Sequence, residues 1–204
     1  AIAPMVAALA AGNTVVIKPS EFAPKTAALL LEMATAVWPD GEVQVILGDA
    51  SVAEQLVTQN WSHVFFTGSE AVGRRVYEEC ARRLIPVTLE LGGKSPCIID
   101  SDVDLEVTLA RVLWGKFLNA GQTCVAPDYL LVHRRWSGSL LDGIRQKLKV
   151  FYGAEPLRST SLARLSSMHH LERMLGLLQN TKVAVGGQVD RLLLRMEPTI
   201  VLEP

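Results

Sequence analysis

Cys124 stands in the run Asn119-Ala120-Gly121-Gln122-Thr123-Cys124-Val125-Ala126-Pro127-Asp128-Tyr129, where small and turn-prone residues present one thiol. A cysteine in such a loop is a candidate nucleophile, because a reactive thiolate needs exposure and a polarising surround. Thirty-four residues earlier, Glu90 stands in Leu89-Glu90-Leu91-Gly92-Gly93-Lys94-Ser95-Pro96, an acid followed by a glycine pair. A nucleophilic sulfur and a carboxylate able to activate water suit a covalent mechanism in which a thioester forms and is hydrolysed. The flanking Leu89 and Leu91 predict burial of Glu90, which would raise its carboxyl toward the working range of a base.

Two further runs suit ligand binding. Phe66-Thr67-Gly68-Ser69-Glu70-Ala71-Val72-Gly73 reads as a glycine-bounded strand-to-helix turn. Gly68 allows a tight turn and close approach of a ligand, Gly73 lets the helix pack closely, and the helix N-terminus opening at Ser69 can meet a pyrophosphate. The spacing is not G-x-G-x-x-G, so the run alone also fits an ordinary strand–helix turn. Lys18-Pro19-Ser20-Glu21 follows a β-branched run, at the carboxyl end of a strand where open α/β sheets bind ligands. Taken alone, that pair also fits a solvated surface.

The elements that must position these residues alternate through the first ninety positions. Strands are expected at 14–17, 43–46, 63–67 and from 86, and helices at 24–38, 51–59 and 70–84. Repeated strand–helix–strand units of this length imply parallel strands and a Rossmann-type half-sheet. The apolar residues 1–11 read as a core helix ended by Gly12-Asn13, not as a signal peptide, since no basic stretch precedes them. After Gly92-Gly93 come a strand at 97–100 and a helix capped by Ser101-Asp102 and running to about 118. Leu105, Leu109, Val112, Leu113 and Phe117 line one face of that helix. A strand at 129–133, helices near 136–151 and 163–178, and strands at 183–185 and 199–202 complete the reading. The domain boundary is expected near residue 87.

With 49% hydrophobic residues and a net charge of −1, the chain has ample core-forming material and no basic surface suited to nucleic acid or anionic lipid. No apolar run approaches the roughly 20 residues of a membrane span. Its three cysteines form no C-x-x-C pair and no zinc-like spacing with histidine, so no metal is expected. Reduced thiols and a cytoplasmic location are. Cys80 on a helix and Cys97 in a strand read as packing residues. His63 and His133 are placed in strands as core or edge residues, and His169-His170 on a polar helix face. The four tryptophans are too scattered for a substrate cage, and Arg82-Arg83 and Arg134-Arg135 read as solvated pairs.

The Leu89–Pro96 and Cys124 motifs resemble, in order and spacing, the two signatures of the NAD(P)-dependent aldehyde dehydrogenase superfamily. The extension Cys124-Val125-Ala126-Pro127-Asp128-Tyr129 is similar to its class 3 branch. The resemblance covers essentially the whole chain. It implies residues 1–87 as the C-terminal part of an NAD-binding domain and 88–204 as an incomplete catalytic domain of α/β type. It implies Cys124 as the nucleophile that attacks an aldehyde, and Glu90 as the base that activates the hydrolytic water. It also implies Lys18 and Glu21 as partners of the adenosine ribose, with Gly68, Ser69 and Gly73 at the pyrophosphate. A carboxylate at Glu21 repels a 2′-phosphate, so NAD is expected, with NADP the alternative; a homodimer is the expected assembly. In the family, an asparagine that completes the oxyanion hole precedes the segment matched here, and a glutamate that grips the nicotinamide ribose follows it. The 204 residues by themselves are therefore expected to show negligible dehydrogenase activity and weak NAD affinity. The alternative expectation is a catalytically silent relative that acts as a binding or interaction module. At Ser161-Leu162-Ala163-Arg164-Leu165 the chain departs from the Gly-Arg-Ile element more usual in the family.

Overall fold

The computed structural model describes residues 1–202, which fall into two compact units, Ala1–Leu91 and the residues from Gly92 onward. The expected strand exit at Glu203-Pro204 lies outside the described residues. The first unit runs α1 (Ile2–Ala10), β1 (Val15–Ile17), α2 (Pro24–Val37), β2 (Val43–Val45), α3 (Ala50–Val57), β3 (Val64–Thr67), α4 (Glu70–Arg82) and β4 (Val87–Glu90). β1 pairs with β2 and β3 with β4, both in parallel, as strand–helix–strand units dictate. The expected half-sheet is thus present as two parallel pairs, and among the described residues no ladder joins them.

Each pair carries its own core. Ile17, Ala34 and Val43 gather Met5, Leu9, Val15, Trp38 and Val45. Val76, Cys80 and Ile85 gather Val57, Trp61, Val64, Phe66, Val87 and Leu89. Pro24 starts α2, since a missing N–H costs nothing in a first turn, and the helix stops at Trp38 because Pro39 disfavours helical backbone before it. Ser69 caps α4 by accepting from the Val72 N–H at 3.4 Å. Helix α1 corrects one expectation: it buries no residue fully and lies on the surface of its unit.

The second unit runs β5 (Ser95–Ile99), α5 (Leu105–Phe117), β6 (Pro127–Val132), α6 (Leu140–Tyr152), α7 (Met168–Leu178), β7 (Lys182–Val185), β8 (Val189–Asp190), β9 (Arg195–Met196) and β10 (Ile200–Leu202). β5, α5 and β6 repeat the strand–helix–strand plan with a parallel pair, while β7–β10 and β8–β9 are antiparallel. The short β8–β9 pair carries too little pattern to be read from sequence. The main core interlocks two helices: Leu109, Leu113 and Phe117 of α5 meet Ile144, Leu148 and Tyr152 of α6, both sets spaced i, i+4, i+8. Gly143 permits this approach, because a Cβ there would lie 2.6 Å from Leu109 Cδ1. A second core joins Leu165, Leu171 and Met196.

Three helix starts differ from expectation, each through capping. Asp104, not Ser101 or Asp102, caps α5 by accepting from the Val107 N–H at 3.1 Å. Residues 134–136 form a separate three-ten turn before α6. Ser167 caps α7, so residues 163–166 are free to make other bonds. His63 and His133 fall just outside β3 and β6 and are exposed, not core residues. Among the described residues no helix is long and apolar enough to cross a membrane.

Candidate active site

In the first unit the singled-out residues follow the carboxyl ends of parallel strands. The β3–β4 register pairs Thr67 with Glu90, and the Gly68 N–H continues the ladder to the Glu90 carbonyl at 3.1 Å. Gly68, Ser69 and Glu90 are thereby brought together at the N-terminus of α4. Gly73 is buried in the first turn of that helix, where a Cβ would lie 2.6 Å from Leu91 Cδ2. Gly68 also leaves room locally, since a Cβ there would lie 2.5 Å from the Phe66 ring, which would have to shift.

The burial expected for Glu90 is corrected: the residue is exposed. Strand alternation explains it. Leu89 joins the core beside Cys80 and Leu91 lies against Gly73, so the residue between them points to the other face.

Lys18 follows β1 and reaches the loop after β2. Its Nζ donates to the Gly48 carbonyl at 2.7 Å, the Pro19 carbonyl at 3.0 Å and Glu21 Oε2 at 3.3 Å. The Glu21 carboxyl is held below its usual range, first by its own backbone N–H and then by Lys18, against partial desolvation and the nearby Asp49 charge.

In the second unit, parallel pairing sets the thiol loop beside the glycine pair. Ser95 registers with Pro127, which places the preceding residues of both strands side by side. A Cβ on Gly93 would lie 3.2 Å from the Cys124 carbonyl oxygen, so a side chain there would press against the thiol loop. Cys124 and Val125 are the central residues of a turn closed by the Ala126 N–H on the Thr123 carbonyl at 3.2 Å. That bond does not use the Cys124 N–H, and the thiol is exposed. By contrast Cys80 is fully buried, which pushes its thiol pKa up, and Cys97 is half-buried.

The backbone just before the thiol is unusual. Asn119, Ala120 and Gly121 are consecutively left-handed, with φ of 53°, 55° and 77°. Asparagine and glycine tolerate this region; for alanine it costs about 1–2 kcal/mol. Gln122 counters the tendency to relax. Its backbone N–H and its Nε2 both donate to the Asn119 carbonyl, at 3.2 and 3.0 Å. Its Nε2 also donates to the Arg164 carbonyl at 3.0 Å, and its Oε1 accepts from the Ser166 N–H at 2.9 Å. Beyond the thiol, Asp128 pairs with Lys94 of the glycine motif and approaches Lys116 Nζ at 4.0 Å. Burial pushes the Lys116 pKa down, and Asp128 pulls it partly back.

These two sets of strand-end residues occur in a chain that matches the aldehyde dehydrogenase family model over residues 1–203. The chain belongs to the aldehyde dehydrogenase family. It is 41% identical over 202 residues to aldehyde dehydrogenase family 3 member A2 of Pongo abelii, covering 99% of this chain and 42% of that protein. It is 42% identical over 202 residues to the dimeric NADP-preferring aldehyde dehydrogenase of Rattus norvegicus, covering 99% of this chain and 45% of that one. Among solved structures, the substrate-bound state of Staphylococcus aureus AldH superposes with a TM-score of 0.91 at 38% identity, over 97% of this chain and 44% of that one. The Mycobacterium tuberculosis aldehyde dehydrogenase complexed with NAD+ gives 0.83 at 29% identity, over 94% of this chain and 42% of that one. The chain thus spans less than half the length of these relatives.

In this aldehyde dehydrogenase chain, sequence reasoning passed over Gln122, Asp128 and Lys116 as site residues. Asp128 and Lys116 carried a signal, being opposite charges that bracket the thiol run. Gln122 carried almost none, because two of its partners are backbone atoms 42 and 44 residues away. At the departure Ala163-Arg164-Leu165 the Arg164 carbonyl accepts from Gln122 and Leu165 fills a core, and nothing in the structure explains the change from Gly-Arg-Ile.

Proposed function

We propose that the intact protein oxidises an aldehyde to a carboxylic acid through a thioester on Cys124, with NAD as hydride acceptor. The observation that carries this reading is the exposed Cys124 thiol at the centre of a turn seated against Gly93, in a chain of this family. The Cys124 thiolate attacks the aldehyde carbon and forms a carbon–sulfur bond, leaving a tetrahedral oxyanion. The free Cys124 amide is suited to donate to that oxygen. The hydride leaving this carbon would pass to a bound nicotinamide, the acceptor that cofactor would supply, and a thioester would remain on Cys124. Glu90, exposed at the end of β4, takes a proton from water; the hydroxide adds to the acyl carbon, the sulfur departs, and the carboxylic acid is released.

The first unit fits the cofactor's demands. A pyrophosphate suits the N-terminus of α4 opened by Gly68 and Ser69, with Gly73 allowing the helix to lie close to β4. Lys18 and Glu21 at the end of β1 suit ribose hydroxyls, the carboxylate as acceptor and the ammonium as donor. Glu21 together with the nearby Asp49 disfavours a 2′-phosphate, which supports NAD over NADP. The first unit thus serves as the cofactor half and the second as the nucleophile half.

Acid quench during turnover of an aldehyde with NAD, followed by peptide mapping, should find an acyl mass on Cys124. Turnover with no acylated cysteine at any quench time removes the covalent mechanism.

A further inference from the structure

We propose that Gln122 is a positioning residue for the nucleophile: it fixes the backbone that carries Cys124 onto the segment 164–166 and touches no substrate. The inference rests on the reading of Cys124 as nucleophile.

The carboxamide uses both kinds of its hydrogen-bonding atoms at once. Nε2 donates to the carbonyls of Asn119 and Arg164, each at 3.0 Å, and Oε1 accepts from the Ser166 N–H at 2.9 Å. Only an amide side chain of this length supplies two donors and an acceptor in one plane. The Asn119 bond closes the left-handed run at 119–121, a conformation that asparagine and alanine leave unless something holds them. The other two bonds tie the loop to a segment that is itself anchored. Arg164 Nε donates to the Leu193 carbonyl at 2.9 Å, and the Leu165 N–H to the Leu194 carbonyl at 2.7 Å. Leu165 is buried with Leu171 and Met196, and Ala120 packs against the same cluster. The stretch preceding Cys124 is therefore mounted on the module of α7, β8 and β9, and Gln122 is the fastening.

Gln122→Glu keeps the size and one acceptor but turns an oxygen toward the carbonyls of Asn119 and Arg164. In the intact protein, kcat is expected to fall about 10²-fold, the cost of misplacing a reacting group by about an ångström, with KM for NAD unchanged. Alkylation of Cys124 by iodoacetamide, followed by peptide mapping, should slow relative to the parent, because a thiol reacts according to the exposure and polarising surround that the held loop fixes. Arg164→Ala loosens the mount from the far side without altering Gln122, and should lower kcat and alkylation in the same direction by a smaller factor. A folded Gln122→Glu protein with kcat and alkylation rate both at parent values overturns the proposal. If that variant does not fold, parent values for both in Arg164→Ala overturn it. The alkylation readout needs no dehydrogenase activity: if Cys124 proved not to be the nucleophile, oxidation would survive its replacement while the labelling rates still reported on the mount.

Discussion

Glu90 ends a strand whose register, hydrogen bonds and alternation stay regular to its last residue, and the ladder runs on through Gly68. Cys124 follows three left-handed residues and is held by side-chain bonds to a segment about forty positions later in the chain. One group is placed by periodic backbone, the other by irregular backbone under restraint. The difference suits their proposed tasks. A base that activates water needs a direction and some freedom, whereas a nucleophile must meet a carbon along a defined line. Regular structure supplies the first cheaply; the second requires a loop whose preferred conformations have been removed.

Breaking the irregular end should have the largest effect. Cys124→Ala is expected to lower kcat by about 10⁴-fold or more, the order lost when a covalent nucleophile is removed. Steady-state NADH formation by the intact protein measures it. A variant retaining a tenth of parent activity would show that the sulfur is not the attacking group.

The regular end should fail more gently and at a different step. Glu90→Gln leaves the ladder intact, since only the backbone carbonyl of residue 90 bonds to Gly68. Loss of a general base costs about 10²–10⁴-fold, and here the loss falls on thioester hydrolysis. Rapid mixing should therefore show a burst of NADH followed by slow turnover. If the burst disappeared and turnover fell no further, Glu90 would act before the thioester forms.

The same contrast decides what was legible in the sequence. Every strand and helix near Glu90 was readable, because alternation and i, i+3, i+7 spacing (Gly73, Val76, Cys80) are local. The exposure of Glu90 followed from that alternation too, yet flanking leucines suggested burial; the strand's two faces, not its neighbours in sequence, set exposure. At the other end, the identity of the nucleophile was plain from its motif. The left-handed run before it and the Gln122 fastening were not, since positive φ at alanine contradicts local preference and the bonds that enforce it are non-local. Asp104 displaced Ser101 and Asp102 as the cap of α5 for a similar reason: several acids and hydroxyls were eligible, and packing of Leu105 against the α5–α6 core chose among them.

A pair of identical substitutions sharpens the comparison at the smallest scale. Ala110 lies inside α5, and Ala120 lies in the left-handed run ten residues later. In the helix, Ala110→Gly gives up backbone entropy and is expected to cost about 1 kcal/mol. At position 120 the same loss is offset by release of the strain that alanine bears at φ 55°, about 1–2 kcal/mol. Removal of a methyl packed against the Leu165 cluster returns roughly 0.8 kcal/mol of that gain. Ala120→Gly should therefore be near neutral, about 1 kcal/mol more stable than Ala110→Gly, as read from urea unfolding midpoints at equal slopes. Its freer loop should also label more slowly at Cys124 than the parent, because glycine admits conformations that alanine under restraint does not. Equal losses of stability at both positions would mean that residue 120 is not held left-handed in solution, and the account of the thiol loop as restrained irregular backbone would fall with it.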